Sequence, residues 1–270
     1  MDKKKLLIAG GDIRMLYAAA RLSDIYDVEL VGYSEEKLPK EEQMIFRKFK
    51  GTSDKADILL LPPVVTDNKG RINAPFGAEE IKVQDIMDKI KEDSVVFMGI
   101  NGRAAEQAAN ELGLSIFNYM EDEALAIANA VPTAEAALKI AMEETERTIW
   151  GSKVLVTGYG RIGMILTDRL IKLGADVTAS ARKTCDRMKI KAMGANAAKI
   201  LPEKSVLSEI DIIFNTVPAE IFGIADIMCL KKECVFIELA SAPGGADKKI
   251  IEETGRKYVW ASGLPAAVSG

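Results

Sequence analysis

Short runs of about five apolar residues, rich in Val, Ile and Leu, recur along this chain between longer stretches whose apolar positions return every three to four residues. The first pattern marks a strand buried on both faces. The second marks an amphipathic helix, and their alternation predicts parallel α/β sheets. In the first half the pattern predicts strands over 5–9, 28–33, 57–61, 94–100 and 115–118, with helices over 12–23, 79–91 and 103–112. Pro62-Pro63 stops the third strand, and a polar loop over 66–77 follows. Residues 121–148 read as helix, broken at Asn129-Ala130-Val131-Pro132, with Thr133 and Glu135 opening a second piece. The second half predicts strands over 153–157, 176–180, 211–215, 235–239 and 258–261, with a helix over 161–173. The expected fold class is α/β in two domains with a cleft between them. A flavodoxin-like or Rossmann-like substrate domain covers 1–130, a hinge helix 131–150, and a Rossmann dinucleotide domain 151–270.

One segment carries chemistry in its spacing. Val154-Leu-Val-Thr157-Gly158-Tyr-Gly160-Arg161-Ile162-Gly163 is a strand, a G-x-G-x-x-G turn and a helix start. Gly158 turns the chain sharply, Gly160 leaves room for a pyrophosphate, and Gly163 allows close packing of helix on strand. The helix opening at Arg161 and Ile162 then offers amides and a partial positive charge to phosphates. About 20 residues past the turn, an NAD-binding chain places a carboxylate that grips the ribose 2′-hydroxyl. This chain offers Ser180, Arg182 and Lys183 there. A guanidinium suits a 2′-phosphate that a carboxylate would repel, so the expected cofactor is NADP(H). Thr216-Val217-Pro218 and Ala240-Ser241 close two later strands, and they are expected to line the ribose and nicotinamide.

Composition narrows the chemistry. The 270 residues contain no histidine, which removes His-based triads, His-ligated zinc and the histidine acid/base of many dehydrogenases. The three cysteines have no metal-type spacing, and no metal is expected. A net charge of −4 with scattered Lys and Arg argues against nucleic acid, and no apolar run reads as long enough to span a membrane. The expected protein is cytoplasmic, globular and soluble.

In the first half, Gly10-Gly11-Asp12-Ile-Arg14 ends a strand and starts a helix, and Asn101-Gly102-Arg103 does the same. Asp12 and Arg14 read either as a helix cap and a surface charge or as substrate-binding groups at strand carboxyl ends. Arg103 offers a second guanidinium, and Thr133 and Glu135 on the hinge segment are expected to face the cleft. These five are the candidate catalytic residues. Three functions remain open: an oxidoreductase acting on a small anionic substrate, another NADP-dependent two-domain dehydrogenase, and a non-catalytic NADP(H)-binding regulatory subunit. Two-domain dehydrogenases commonly dimerise, so a homo-oligomer is expected.

Taken together, Gly10-Gly11-Asp12-x-Arg14, Asn129-x-x-Pro132-Thr133-x-Glu135, the glycine turn, Ala181-Arg182 and Asn215-Thr216-x-Pro218 form an ordered set. With Leu239-Ala240-Ser241-x-Pro243-Gly244-Gly245-x-Asp247 and Gly263-Leu264-Pro265, that set resembles the A subunits of dipicolinate synthase from endospore-forming bacteria. The resemblance spans essentially the whole chain. It implies oxidation of dihydrodipicolinate to dipicolinate with NADP⁺ in the mother cell during sporulation, alongside a flavoprotein-like B subunit. Arg14 and Arg103 would hold the two substrate carboxylates, and Asp12, Glu135 or water would take the proton. Two departures stand out. Glu238 occupies the place of an expected aspartate. The family continues past Pro265 through a glycine-rich turn and a closing helix, whereas this sequence stops at Gly270, as a truncated chain would.

Overall fold

The structure, a computed structural model, describes residues 3–49, 55–67 and 69–261. Gly263-Leu264-Pro265 and the expected truncation therefore lie outside the described residues. The chain divides into two compact units at Ala126–Ile127.

The first unit comprises β1 (Lys5–Ala9), α1 (Ile13–Leu22), β2 (Asp27–Val31), α2 (Lys40–Phe46), β3 (Ala56–Leu60), α3 (Val83–Met87), β4 (Ile90–Met98), α4 (Arg103–Glu111) and β5 (Ser115–Asn118). Its five parallel strands take the order β2-β1-β3-β4-β5, the flavodoxin-like arrangement. Side chains alternate across the sheet: Leu7, Ala9, Leu59, Leu61, Val96 and Met98 enter one core, and Leu6, Ile8 and Leu30 the other. Both faces are buried, which explains the unbroken apolar runs.

The predicted helix over 79–91 contracts to α3. The Ile81 carbonyl accepts the Ile72 N–H at 2.9 Å, which draws the preceding residues into an extended loop contact. Ile90 already pairs with Ala56 as β4 begins. Ser94 then bridges an irregular step, accepting from Lys91 N–H at 2.9 Å and donating to the Ala56 carbonyl at 2.8 Å.

α5 (Glu123–Glu144) runs unbroken through Pro132, where the sequence predicts a break. Proline removes one N–H and crowds the preceding turn, at about 3 kcal/mol in a helix interior. Burial offsets that penalty: Ala134, Ala136, Ala137, Leu138 and Ala141 all enter the core of the second unit. α5 is also long and apolar enough, by length and composition alone, to cross a membrane, contrary to the expectation that no such run exists. Its buried face makes it a core helix in this fold.

The second unit contains β6 (Lys153–Thr157), α6 (Arg161–Lys172), β7 (Asp176–Ser180), α7 (Thr184–Ala192), β8 (Asn196–Ala198), α8 (Lys204–Leu207), β9 (Ile212–Asn215), α9 (Ile224–Cys229), β10 (Val235–Glu238), α10 (Lys248–Glu253) and β11 (Lys257–Trp260). All six strands are parallel in the order β11-β10-β9-β6-β7-β8, the Rossmann order with its switch point between β6 and β9. Val154, Val156, Phe214 and Ile237 face one core, while Leu155, Ile213 and Phe236 face the other. Phe236 is packed edge-on by Phe222 at 5.1 Å and stacked by Tyr258 at 5.4 Å between ring centroids.

Candidate functional site

The turn after β6 sits at the switch point of the second sheet. Gly158 has φ +89°, a conformation that only glycine adopts without strain. A Cβ on Gly163 would fall 2.1 Å from the Gly158 carbonyl oxygen, so only glycine lets α6 approach this closely. Gly160 differs: a Cβ there would meet no protein atom within 4 Å. That open space borders a cavity of about 670 Å³ lined by Gly158, Tyr159, Gly160 and Thr216-Val217-Pro218, among others. Met164 N–H makes the first bond inside α6, to Gly160 O at 2.9 Å, so the amides at Ile162 and Gly163 lie at the open end of the helix. A tight turn, an open second glycine and a twelve-residue helix pointing its positive end at a cavity fit the pyrophosphate of a dinucleotide.

The residues beyond β7 form the other wall, where Ala181, Arg182, Lys183, Asp186, Lys199 and Ile200 line the cavity. Arg182 and Lys183 are exposed, as a contact to a phosphate requires. Asp186 pairs with Lys189 at 3.2 Å, which holds its carboxyl below the usual range. Ser180 lines the same cavity. It is largely buried, and its hydroxyl accepts the Gly158 N–H at 3.3 Å, so it also braces the glycine turn. Ala240 is likewise buried with its N–H taken by Glu238 at 2.9 Å, while Ser241 is exposed and its carbonyl accepts from Gly244 at 3.1 Å. Neither lines the cavity. Both belong to a loop in which the amides of Ala240, Gly244 and Gly245 are bonded to Glu238 or to the loop itself.

The hub of that loop is Glu238, which sequence reasoning noted only as a substitution. It is fully buried. One carboxylate oxygen accepts from Asn215 Nδ2 at 2.7 Å and Ala240 N at 2.9 Å, and the other from Gly245 N at 2.7 Å. Asn215 in turn accepts from the Thr157 hydroxyl at 2.5 Å and from Val217 N at 3.2 Å, and donates to Val217 O at 2.9 Å. This network fixes the carboxyl ends of β6, β9 and β10, and with them the Thr216-Val217-Pro218 wall. Burial raises the Glu238 carboxyl above its ordinary value, against the hydrogen bonds that favour its ionised form. An isolated Glu in an apolar strand is the only sequence signal for such a hub.

In the first unit the switch point lies between β1 and β3, and Asp12 and Arg14 stand beside it. Asp12 caps α1 by accepting from Arg14 N at 3.0 Å. The Arg14 guanidinium grips the same carboxylate in a fork, Nε at 2.9 Å and Nη2 at 2.8 Å. Burial would raise the Asp12 carboxyl, but the hydrogen bonds and charge of Arg14 outweigh it and leave the group below its usual range. Arg14 is raised by the same bond. Two tyrosines flank the pair. Tyr33 donates to Gly10 O at 2.8 Å, and Tyr119 donates to Leu61 O at 2.8 Å. Burial raises both phenols well above the ordinary tyrosine value, and the Asp12 charge adds to it.

Of the other expected catalytic residues, Arg103 lies in the first unit and Thr133 and Glu135 in the second. Arg103 is exposed at the start of α4, in an open depression shared with Glu106 and Glu111, and its side chain has no hydrogen bond or ion pair among the described residues. Thr133 is buried, and its hydroxyl donates to the Asn129 carbonyl one helical turn back at 2.8 Å. Glu135 pairs with Arg169 of α6 at 3.2 Å, a tie between two helices of the second unit. Helix periodicity explains both, because α5 continues where a break was expected.

The strand order, glycine turn and cavity of the second unit define a domain that binds a nicotinamide dinucleotide. The family model for the D-isomer specific 2-hydroxyacid dehydrogenase NAD binding domain matches residues 124–253, so the chain is of the NAD(P)-dependent dehydrogenase type. The family model for the N-terminal domain of the dipicolinate synthase A subunit matches residues 5–120. The whole chain is 30% identical over 267 residues to the dipicolinate synthase A subunit of Bacillus subtilis (strain 168), covering 98% of this chain and 90% of that one. The chain belongs to the family of dipicolinate synthase A subunits. Two crystal structures of such proteins agree. The one from Bacillus halodurans has TM-score 0.83 and 29% identity over 99% of this chain and 92% of that one. The one from Bacillus subtilis has TM-score 0.82 and 29% identity over 100% and 91%.

Proposed function

We propose that this chain oxidises dihydrodipicolinate to dipicolinate with NADP⁺, in the cytoplasm of the mother cell of a sporulating bacterium. It would act as a homo-oligomer together with a dipicolinate synthase B subunit. The observation that carries the cofactor choice is the end of β7, where Arg182 and Lys183 line the cavity at the place an NAD-binding chain gives to a carboxylate. Family membership and the Asp12–Arg14 pair support the substrate. The reaction removes two electrons and one hydrogen as hydride, releases one proton, and leaves an aromatic ring. When bound, the nicotinamide ring accepts that hydride.

The chain's own residues have a positioning task. Asp12 holds the guanidinium by Nε and Nη2, which leaves Nη1 for a substrate carboxylate. A carboxylate with a lowered pKa is a weak base, so Asp12 orients Arg14, and the proton leaves to water. Arg103, beside two glutamates, is left out of the substrate role. The test is dipicolinate formation from dihydrodipicolinate under NADP⁺ and under NAD⁺, with and without the B subunit. The expected result is NADP⁺-dependent product, with Arg14→Ala raising the substrate KM by about 10- to 100-fold, as loss of a charge-assisted contact implies. NADPH affinity should be unchanged in that variant. No product under any of these conditions refutes the reading.

A further inference from the structure

Parallel pairing brings a third cation to the cavity wall. The last rung between β7 and β8 joins Ser180 to Ala198, and the Ala181 N–H extends the ladder to Ala198 O at 3.0 Å. Lys199 directly follows the end of β8, Arg182 lies two residues past the end of β7, and both line the cavity. Lys199 is exposed. The one carboxylate on this wall, Asp186, is already paired with Lys189. A second arginine, Arg187, is committed to the turn itself: it donates to the carbonyls of Ala181 at 2.9 Å and Arg182 at 2.6 Å and to the Thr184 hydroxyl at 2.9 Å. It fixes the backbone from which Arg182 projects.

We propose that Lys199 is a specificity-determining residue for the dinucleotide, taking the 2′-phosphate from β8 while Arg182 takes it from β7. This rests on the NADP(H) reading above. The physical ground is the difference between ligands. A 2′-phosphate is nearly dianionic and accepts from several donors at once, whereas the 2′-hydroxyl of NAD is neutral. A mobile ammonium opposite a planar guanidinium therefore adds affinity for one ligand and almost none for the other.

Calorimetric titration with NADPH and with NADH tests this on the full chain, in the wild type and in Lys199→Ala, Lys199→Arg and Arg182→Ala. Lys199→Ala is expected to weaken NADPH by about 5- to 20-fold, on the scale of one charge-assisted contact at an exposed site. It should leave NADH and the melting temperature unchanged, and Lys199→Arg should recover most of the loss. The salt dependence of NADPH binding should also become shallower in Lys199→Ala. If Lys199→Ala binds NADPH as the wild type does while Arg182→Ala is weakened, the role of Lys199 is overturned and the NADP(H) reading stands. A wild type that binds NADH as tightly as NADPH overturns both.

Discussion

Gly160 and Gly163 sit three residues apart, yet replacing each by alanine should break different properties. At Gly163 the new methyl would lie 2.1 Å from the Gly158 carbonyl oxygen and 3.0 Å from its carbon, both backbone atoms. Relief needs a backbone shift of about 1 Å, and overpacking of this kind costs about 1–3 kcal/mol. For a unit of this size that is a fall in melting temperature of about 2–12 °C. At Gly160 the methyl meets no protein atom within 4 Å, and its φ of −82° and ψ of −164° suit alanine. Replacing glycine by alanine at an N-cap costs about 0.5–1 kcal/mol, and reduced freedom in the unfolded chain returns about 0.4–1 kcal/mol, so stability should hold within about 1 kcal/mol. The same methyl protrudes into the space bordering the cavity. Displacing a pyrophosphate from one or two amides forfeits about 1.5–3 kcal/mol, a 10- to 150-fold loss of affinity. Melting curves without cofactor, set beside calorimetry with NADPH, separate the two variants. A Gly160→Ala protein that melts normally and binds NADPH at wild-type affinity refutes the assignment of this turn as the phosphate cradle.

Three further expectations follow from ionisation and hydrogen bonding. Because Asp12 is held low and Tyr33 and Tyr119 are raised by burial, kcat/KM for dihydrodipicolinate should be flat between about pH 6 and 9, and an enzyme-derived limb near neutrality would contradict the assignment of the proton to water. Glu238→Gln sets an amide donor against Gly245 or against Asn215 and Ala240, so one donor is stranded in the core; the expected loss is about 1–3 kcal/mol by chemical denaturation. Glu238 also binds its proton more tightly folded than unfolded, so its contribution to stability falls as pH rises from the ordinary carboxylate value through its folded pKa, and stability curves of Glu238→Gln should lack that decline. Asp67 is held at about 2 by hydrogen bonds from Arg71, so its contribution is fully present above about pH 4 and is lost as pH falls toward 2; Arg71→Leu should move the acid transition, followed by circular dichroism, to higher pH.

What the sequence revealed was whatever depends on neighbours along the chain. The glycine turn, its flanking strand and the helix after it occupy one short segment, and the residue after Ala181 is fixed by counting. Lys199 was invisible because β8 is only Asn196-Ala-Ala198, with neither β-branched nor large apolar residues to announce a strand, and its placement follows from pairing with β7. Ser180 was legible as a strand end, but not as a residue whose hydroxyl points back to Gly158. The break expected at Pro132 failed for a related reason: the alanines that bury α5 in the second core outweigh a local preference that the sequence shows plainly. Local signals located the elements, and the tertiary partners decided which side chains were left for a ligand.

Those partners also explain how a chain without histidine could carry the proposed chemistry. In each unit, positive charge near the carboxyl ends of the strands is held in place by a neighbouring group. Arg14 is gripped by a carboxylate whose pKa that grip has lowered, and the strand end carrying Arg182 is braced by Arg187 through backbone carbonyls. Bound anions in such sites meet fixed cations, and no proton has to be moved to accommodate them. A reaction that gains aromaticity on losing hydride has little need of a general base, so positioning accounts for most of what the protein must supply. If that is correct, Asp12→Asn should act through Arg14. The amide can still cap α1 and hold one guanidinium nitrogen, but it lacks the charge that fixes the fork. The substrate KM should therefore rise by about 3- to 10-fold with kcat nearly unchanged, on the scale of one weakened hydrogen bond. If turnover instead slowed by about 100-fold or more while KM held steady, Asp12 would be the base, and this division of labour would be overturned.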